Sequence, residues 1–314
     1  APDDAARTSA LLRLGTLLSR LSSFDAAVSA FESALETAGQ SPEQRDEALL
    51  GLCAVDSDRG DYPRGLERAQ AVDRAGAHAA AALAQIARCH LMMGAYDEAL
   101  ASCDQGLALE PAPEIEAELR RSRALVYYYT ERPDEALPEF EASASLFESA
   151  GDPVGRATAV NAVGLIYHRR GAFDEAIAAY EESRRIAAEY GARKRIAAAT
   201  INIGTVLHET GRVVEAAERY RESLQTAELL GDGAFVARAA MNLANLLIYL
   251  NRLPEATYWL DRSTQEARTH QSRLVVAYNQ GLLGKVAHHE GDLEGARRLL
   301  VMAVSELREM GNTG

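Results

Sequence analysis

The stretch Gly171-Ala172-Phe173-Asp174-Glu175-Ala176-Ile177-Ala178-Ala179-Tyr180 decides the fold. Gly171 breaks the apolar periodicity that runs from Ala157 to Arg169. Asp174 and Glu175 then open a second amphipathic helix, whose positive dipole end they complement. Gly191 ends that helix with a residue able to take the left-handed conformation that closes the last carbonyls. Working outward in forty-residue steps finds the same device repeatedly. Ala136, Ala176, Ala216, Ala256 and Ala296 each anchor an amphipathic helix. Three more ladders keep the step: Gly151, Gly191, Gly231 and Gly311; Gly171, Gly211, Asn251 and Gly291; Ala124, Gly164, Gly204, Ala244 and Gly284. A repeat array accounts for all four.

Small side chains stand twelve residues before the anchors, at Gly15, Ala87, Ala124, Gly164, Gly204, Ala244 and Gly284, with Cys53 the largest occupant. They let the two helices of a unit approach closely. Four residues after the anchor come Phe31, Phe140, Tyr180, Tyr220, Leu260 and Leu300, expected on the buried face of the second helix; Ala69 and Cys103 are smaller. Asn251 keeps the turn rule, because asparagine tolerates positive φ nearly as well as glycine, whereas Gln271 departs from it.

With its small residue, turn, anchor alanine and following aromatic at fixed offsets, the chain resembles the tetratricopeptide-repeat family over essentially its whole length. Anchors at Ala27, Gly65, Ala99, Ala136, Ala176, Ala216, Ala256 and Ala296 are spaced 38, 34, 37, 40, 40, 40 and 40. Gly65 makes the second unit the weakest match. The resemblance implies an all-α, right-handed α-solenoid of about eight helix-turn-helix repeats. The forty-residue units are similar to the long-repeat branch found in arms of signalling proteins. The period changes at Glu110-Pro111-Ala112-Pro113. We therefore expect an acidic, irregular sub-array of about three repeats over 1–113 and a regular one of about five over 114–314, in one continuous superhelix. The prolines suit either a joint between sub-arrays or an ordinary turn after a helix end.

Composition sets outer limits. Of 314 residues, 47% are hydrophobic and 25% charged, and no apolar run is long enough to span a membrane. Three cysteines, Cys53, Cys89 and Cys103, lack metal-ligand spacing and point to a reducing, cytoplasmic location. The start at Ala1 shows no secretory pattern, and a fragment of a longer protein is the expectation. The net charge of -13 falls within residues 1–150, which carry 13 basic and 26 acidic side chains, against 20 and 20 in 151–314. Nucleic-acid phosphate is therefore not an expected partner.

Catalytic motifs are absent: there is no phosphate loop, nucleophile elbow or zinc-hydrolase pattern, so neither an enzyme nor a cofactor is expected. Cys89-His90 and Cys103 occupy packing slots of the repeat.

The resemblance further implies that one face of the first helices lines a concave groove. Asn202 and Asn242 stand fourteen residues before their anchors, Asn245 eleven and Asn161 fifteen. A carboxamide donates and accepts, so such a ladder can pair with successive amides of an extended peptide, or bond neighbouring helices; both readings are open. Arg88, Arg121, Arg238 and Lys285 add positive charge at groove-facing offsets, and Tyr128, Tyr249 and Tyr278 add apolar surface with a polar tip. Thr205 shares the face. An acidic ligand, or one with a free C-terminal carboxylate, suits this set. His168, His208 and His288 stand eight residues before their anchors; equivalent positions lie roughly 10 Å apart in adjacent repeats, too far to share a metal ion. They are expected as solvated or pH-sensitive groove side chains.

A terminal repeat normally turns a polar face outward. The last helix instead carries Leu299, Leu300, Val301, Val304 and Leu307, which predicts self-association, a continuing repeat or an adjoining domain. The expected function is a protein-interaction module that holds a peptide or partner segment in its groove, as the regulatory or sensor arm of a larger bacterial-type signalling protein. A small-molecule-sensing arm is the alternative.

Overall fold

Sixteen helices follow from this pattern, and the computed structural model contains them over the residues it describes, 2–21, 23–39 and 41–310. Gly311, the last rung of one glycine ladder, and Asn312 to Gly314 lie outside the described residues. In chain order, α1 (Pro2–Arg20) pairs with α2 (Phe24–Thr37), and α3 (Pro42–Asp58) with α4 (Tyr62–Gln70). Next, α5 (Ala79–Met92) pairs with α6 (Tyr96–Leu107), and α7 (Pro113–Tyr129) with α8 (Pro133–Ala150). They are followed by α9 (Pro153–Arg169) and α10 (Phe173–Glu189). Finally α11 (Arg193–Glu209) pairs with α12 (Val213–Leu230), α13 (Gly233–Tyr249) with α14 (Leu253–Thr269), and α15 (Arg273–His289) with α16 (Leu293–Glu309). Second helices also pack on the next first helix, as α2 does on α3 and α12 on α13, so the fold is an all-α solenoid of helix hairpins. Contacts divide the chain within α9 into two compact units, Ala1–Ala159 and Val160–Gly314.

Both kinds of turn are built the same way. Gly171, Gly211, Asn251 and Gly291 all have positive φ, and the next residue's N–H reaches back five positions to close the helix, as from Arg212 to Leu207 at 2.8 Å. The return turns repeat this at Gly151, Gly191 and Gly231. Gln271 takes the same conformation, with φ of 54°, and Ser272 closes onto Ala267 at 2.8 Å. Glu131 and Glu110 also adopt positive φ, at 60° and 49°, where glycine is the residue expected to do so.

The small-residue ladder has the predicted use. A β-carbon added at Gly164 would lie 2.6 Å from the Tyr180 ring, and one at Gly204 would lie 2.8 Å from Tyr220. Both rings are fully buried. In the second unit these pairs merge with Ile203, Leu243, Leu246 and Leu260 into one continuous core. The first unit, where the period is irregular, has several small clusters instead. Across the proline segment, Leu119 covers Gly106, and Val126 joins Leu91 and Ala99.

The structure explains the aberrant second repeat. At Gly65 the alanine methyl would fall 3.1 Å from Ser57 Oγ and 3.4 Å from Cys89 Sγ, so the neighbouring repeat's thiol crowds the anchor's place. Its second helix, α4, has only 9 residues, and buried polar contacts supplement the thin apolar contact. Arg68 Nε donates to the buried carboxylate of Asp56 at 2.7 Å, and buried Asp46 accepts from the Asp73 backbone N–H at 3.3 Å.

Candidate inner-face binding site

Within each unit the first helices of successive repeats also touch one another, α3 against α5 and α5 against α7, then α11 against α13 and α13 against α15. Positions spaced i, i+4, i+7 on them share one helix face. In the second unit this face carries Asn202 and Thr205 on α11, Arg238, Asn242, Asn245 and Tyr249 on α13, and Tyr278 and Lys285 on α15. His208 and His288 lie at its edge. Arg88, Arg121 and Tyr128 belong to the first unit, so the sequence-derived set is divided between two units.

The cations of the two units differ in one decisive respect. Arg88 donates to Asp58 at 2.9 Å, and Arg121 Nε donates to Glu118 at 3.2 Å, so both are matched to carboxylates on the chain itself. Neither Arg238 nor Lys285 makes an ion pair among the described residues, and both are exposed. The Arg238 guanidinium instead lies 4.5 Å over the Phe235 ring, which holds it flat and leaves its donors available.

The asparagines split between the two roles. Asn202 Nδ2 donates to Asn161 Oδ1 at 3.1 Å, bonding adjacent first helices. Among the described residues Asn242 and Asn245 make no such pair and, with Tyr278 and Lys285, line a cavity of about 330 Å³ whose apolar wall includes Leu282, Leu300, Val304 and Leu307. Two features treated separately in the sequence, the groove and the last helix, thus meet here. Thr205 donates to the Ile201 carbonyl at 3.0 Å within its own helix.

His168 Nε2 lies 2.8 Å from Glu209 Oε2, so it is engaged between repeats. The His208 ring packs edge-on to Tyr249, 6.0 Å away, and to Tyr220, 6.4 Å away. Burial lowers its pKa; the charge of Lys285 acts in the same direction, and Glu209 opposes. His208, Tyr249 and Lys285 therefore bring α11, α13 and α15 to one place. His288 is exposed and stacks edge-on to His289 at 6.3 Å. In the first unit, Tyr128 packs against Tyr129 at 5.4 Å, beside Tyr96.

Some participants were missed in the sequence. Glu209 shares the offset of Tyr249 and was therefore findable. Asn279 is fully buried and donates to Ser263 Oγ at 2.8 Å and Thr264 Oγ1 at 3.1 Å, a use of asparagine that needs the facing hydroxyls to be seen. All three cysteines are buried, and burial pushes the Cys103 thiol up to about 12. Among the described residues no three His, Cys, Asp or Glu side chains converge as metal ligands, and no helix is long and apolar enough to cross a membrane.

Helix hairpins stacked in sequence define a helical-repeat protein of the α-solenoid class. Residues 116–189 and 195–269 each match the family model for the tetratricopeptide repeat, so both stretches are built of that repeat. A search of curated proteins by sequence returns no match. Among solved structures, the fold resembles a Rap protein complexed with competence and sporulation factor, at TM-score 0.68 and 13% identity, over 97% of this chain and 92% of that one. It also resembles a signal-transduction ATPase with a tetratricopeptide-repeat sensor from Pyrococcus horikoshii, at TM-score 0.69 and 15% identity, over 98% of this chain and 48% of that one. Aspartyl phosphate phosphatase F from Bacillus subtilis aligns at TM-score 0.62 and 11% identity, over 88% and 75%.

Proposed function

We propose that the chain is a protein-interaction module of a regulatory or sensor arm, and that the inner face of its second unit holds an extended segment bearing a carboxylate. The carrying observation is the contrast in pairing: the inner-face arginines of the first unit have carboxylate partners, whereas Arg238 and Lys285 have none among the described residues. Asn242 and Asn245 offer donors and acceptors to the ligand backbone beside them, and Tyr249 and Tyr278 offer flat surface. The Rap protein of similar fold, complexed with competence and sporulation factor, agrees with this use of the fold. The apolar face of α16 is read as an association surface.

A panel of acidic peptides with free or amidated C-termini, titrated by fluorescence anisotropy, tests the site. The free-acid forms are expected to bind, and Arg238→Ala with Lys285→Ala to weaken them at least about tenfold, the loss of one charge-assisted contact. Undiminished binding by the double variant at unchanged helicity would sink the assignment. The cavity of about 330 Å³ also supports a second reading, a small amphipathic acid as ligand, because its size suits a small molecule. Calorimetry with such acids in place of peptides separates the two.

A further inference from the structure

Thirteen and ten residues before the anchor, four of the later first helices bury their side chains almost completely: Leu52 and Val55, Ile86 and Cys89, Ile203 and Val206, Leu243 and Leu246 are all 4% exposed or less. The preceding repeat supplies the cover, as Ile86 and Cys89 meet Ala69, and Val126 meets Ala99. In α1 the same two positions are Leu14 and Leu17, which are 47% and 57% exposed. The first helix is therefore dressed for a preceding repeat.

The last hairpin shows the converse. Four residues after the anchor, Phe140, Tyr180, Tyr220 and Leu260 are at most 1% exposed, but Leu300 is 41% exposed, with Val301 and Val304 beside it. The seat beneath α15 shows how a first helix would lie there. Asn279, seventeen before its anchor, rests on Ser263 and Thr264, seven and eight after theirs. The corresponding residues of α16 are Ala303 and Val304, which have no hydroxyl to offer, and the corresponding residue of α1 is the exposed Ala10. Likewise Arg123 meets Asp104 at 3.1 Å, a pairing whose counterpart is Leu14 with Val301. In each register the polar pair belongs to one internal junction, and the two ends would bring an apolar pair together instead.

We infer that α1 of one copy of this chain seats on α15 and α16 of a second copy in first-helix register, Ala10 on Ala303 and Val304 and Leu14 on Val301. The inference rests on the reading of α16 as an association surface and names what covers it; because Leu300, Ala303 and Val304 also wall the cavity beside Asn242 and Lys285, association and ligand binding there exclude each other. Such a contact uses different surfaces on the two partners, so two copies joined by it retain one free α1 and one free α16. Arg7 falls opposite Arg308 at the rim, a position where Arg156 and Glu148 pair at 3.1 Å, so association is expected to strengthen with salt.

Sedimentation of the chain tests this. The mass is expected to rise with concentration beyond that of a dimer. Leu14→Glu with Leu17→Glu, and separately Leu300→Glu with Val304→Glu, are each expected to give monomers. Mixed in equal amounts, the two are expected to form dimers and nothing larger, since one intact α1 meets one intact α16. Far-UV circular dichroism checks that both fold, and Val301→Lys, at a 61% exposed site, supplies a milder α16 variant. If the α16 variants lose association while the α1 variant keeps it, the α16 surface stands and this pairing is overturned. A monomeric mixture also overturns the pairing, and a chain monomeric at every concentration overturns both.

Discussion

Ser263 donates its hydroxyl to the carbonyl oxygen of Ala237 at 2.7 Å, joining the two helices of one hairpin across 26 residues of sequence. Ser223 does the same to Ala197 at 3.0 Å, and Ser143 to Ala117 at 2.8 Å. With Ser183 these serines form a forty-residue ladder of their own, and all four are buried; each of the three bonds closes its hairpin at the end away from the turn. Ser223→Ala is expected to cost about 1 kcal/mol in a urea titration, the net worth of one buried hydrogen bond. Ala303 holds this place in the last hairpin, and Ala303→Ser is expected to raise stability by a similar or smaller amount.

Gln271 stores strain that glycine would release. A non-glycine side chain in the left-handed region costs roughly 1–2 kcal/mol, partly offset by the freedom glycine adds to the unfolded chain. Gln271→Gly is therefore expected to raise the thermal midpoint, while Gly211→Gln, the reverse change at an equivalent kind of turn, lowers it. Equal midpoints for all three proteins would contradict the turn assignment.

The Arg68–Asp56 pair holds the thin second repeat. Asp56 is 2% exposed and Arg68 side-chain exposure is 16%, so removing the arginine strands a buried carboxylate. Arg68→Ala is expected to destabilise the fold by about 3 kcal/mol, at the lower end for a broken buried pair, since Arg64 remains 3.9 Å from the same carboxylate. Hydrogen exchange should show the loss first in α3 and α4.

His208 ties stability to pH. Its pKa is lowered in the folded chain, so as pH falls below the ordinary value of about 6.5 the unfolded state takes up the proton first. Stability is thus lost as pH drops from there toward the folded pKa, and is fully present above. His208→Gln is expected to flatten that part of the unfolding midpoint against pH; an unchanged slope would place the acid sensitivity elsewhere.

The forty-residue step was readable because each rung answers one physical demand. Positive φ selected Gly171 and Asn251, and close helix approach selected Gly164 and Gly204. Where a demand was met at a cost, the sequence was silent: Glu131 and Glu110 take positive φ without any signal in their side chains. The serine ladder was in plain view, but serine at a helical core position does not announce a partner 26 residues back. At the site, offsets grouped residues on one helix face, whereas pairing was hidden, because whether Arg88 faces Asp58 or solvent depends on which helices adjoin. Asn161 and Asn202 turned out to bond each other for the same reason.

The fit of Tyr180 over Gly164, and of Tyr220 over Gly204, also limits how such a chain can change. Two other hairpins pair Ala124 with Phe140 and Ala244 with Leu260, so ring and socket differ in size from one repeat to the next. Setting α7 in the place of α11 would drive an alanine methyl into the Tyr220 ring, although both are first helices. Whole hairpins can be traded, duplicated or deleted without breaking this fit; single helices cannot. The smallest heritable part of the array is therefore the hairpin, and chimaeras cut at the return turns should fold where those cut between socket and ring do not.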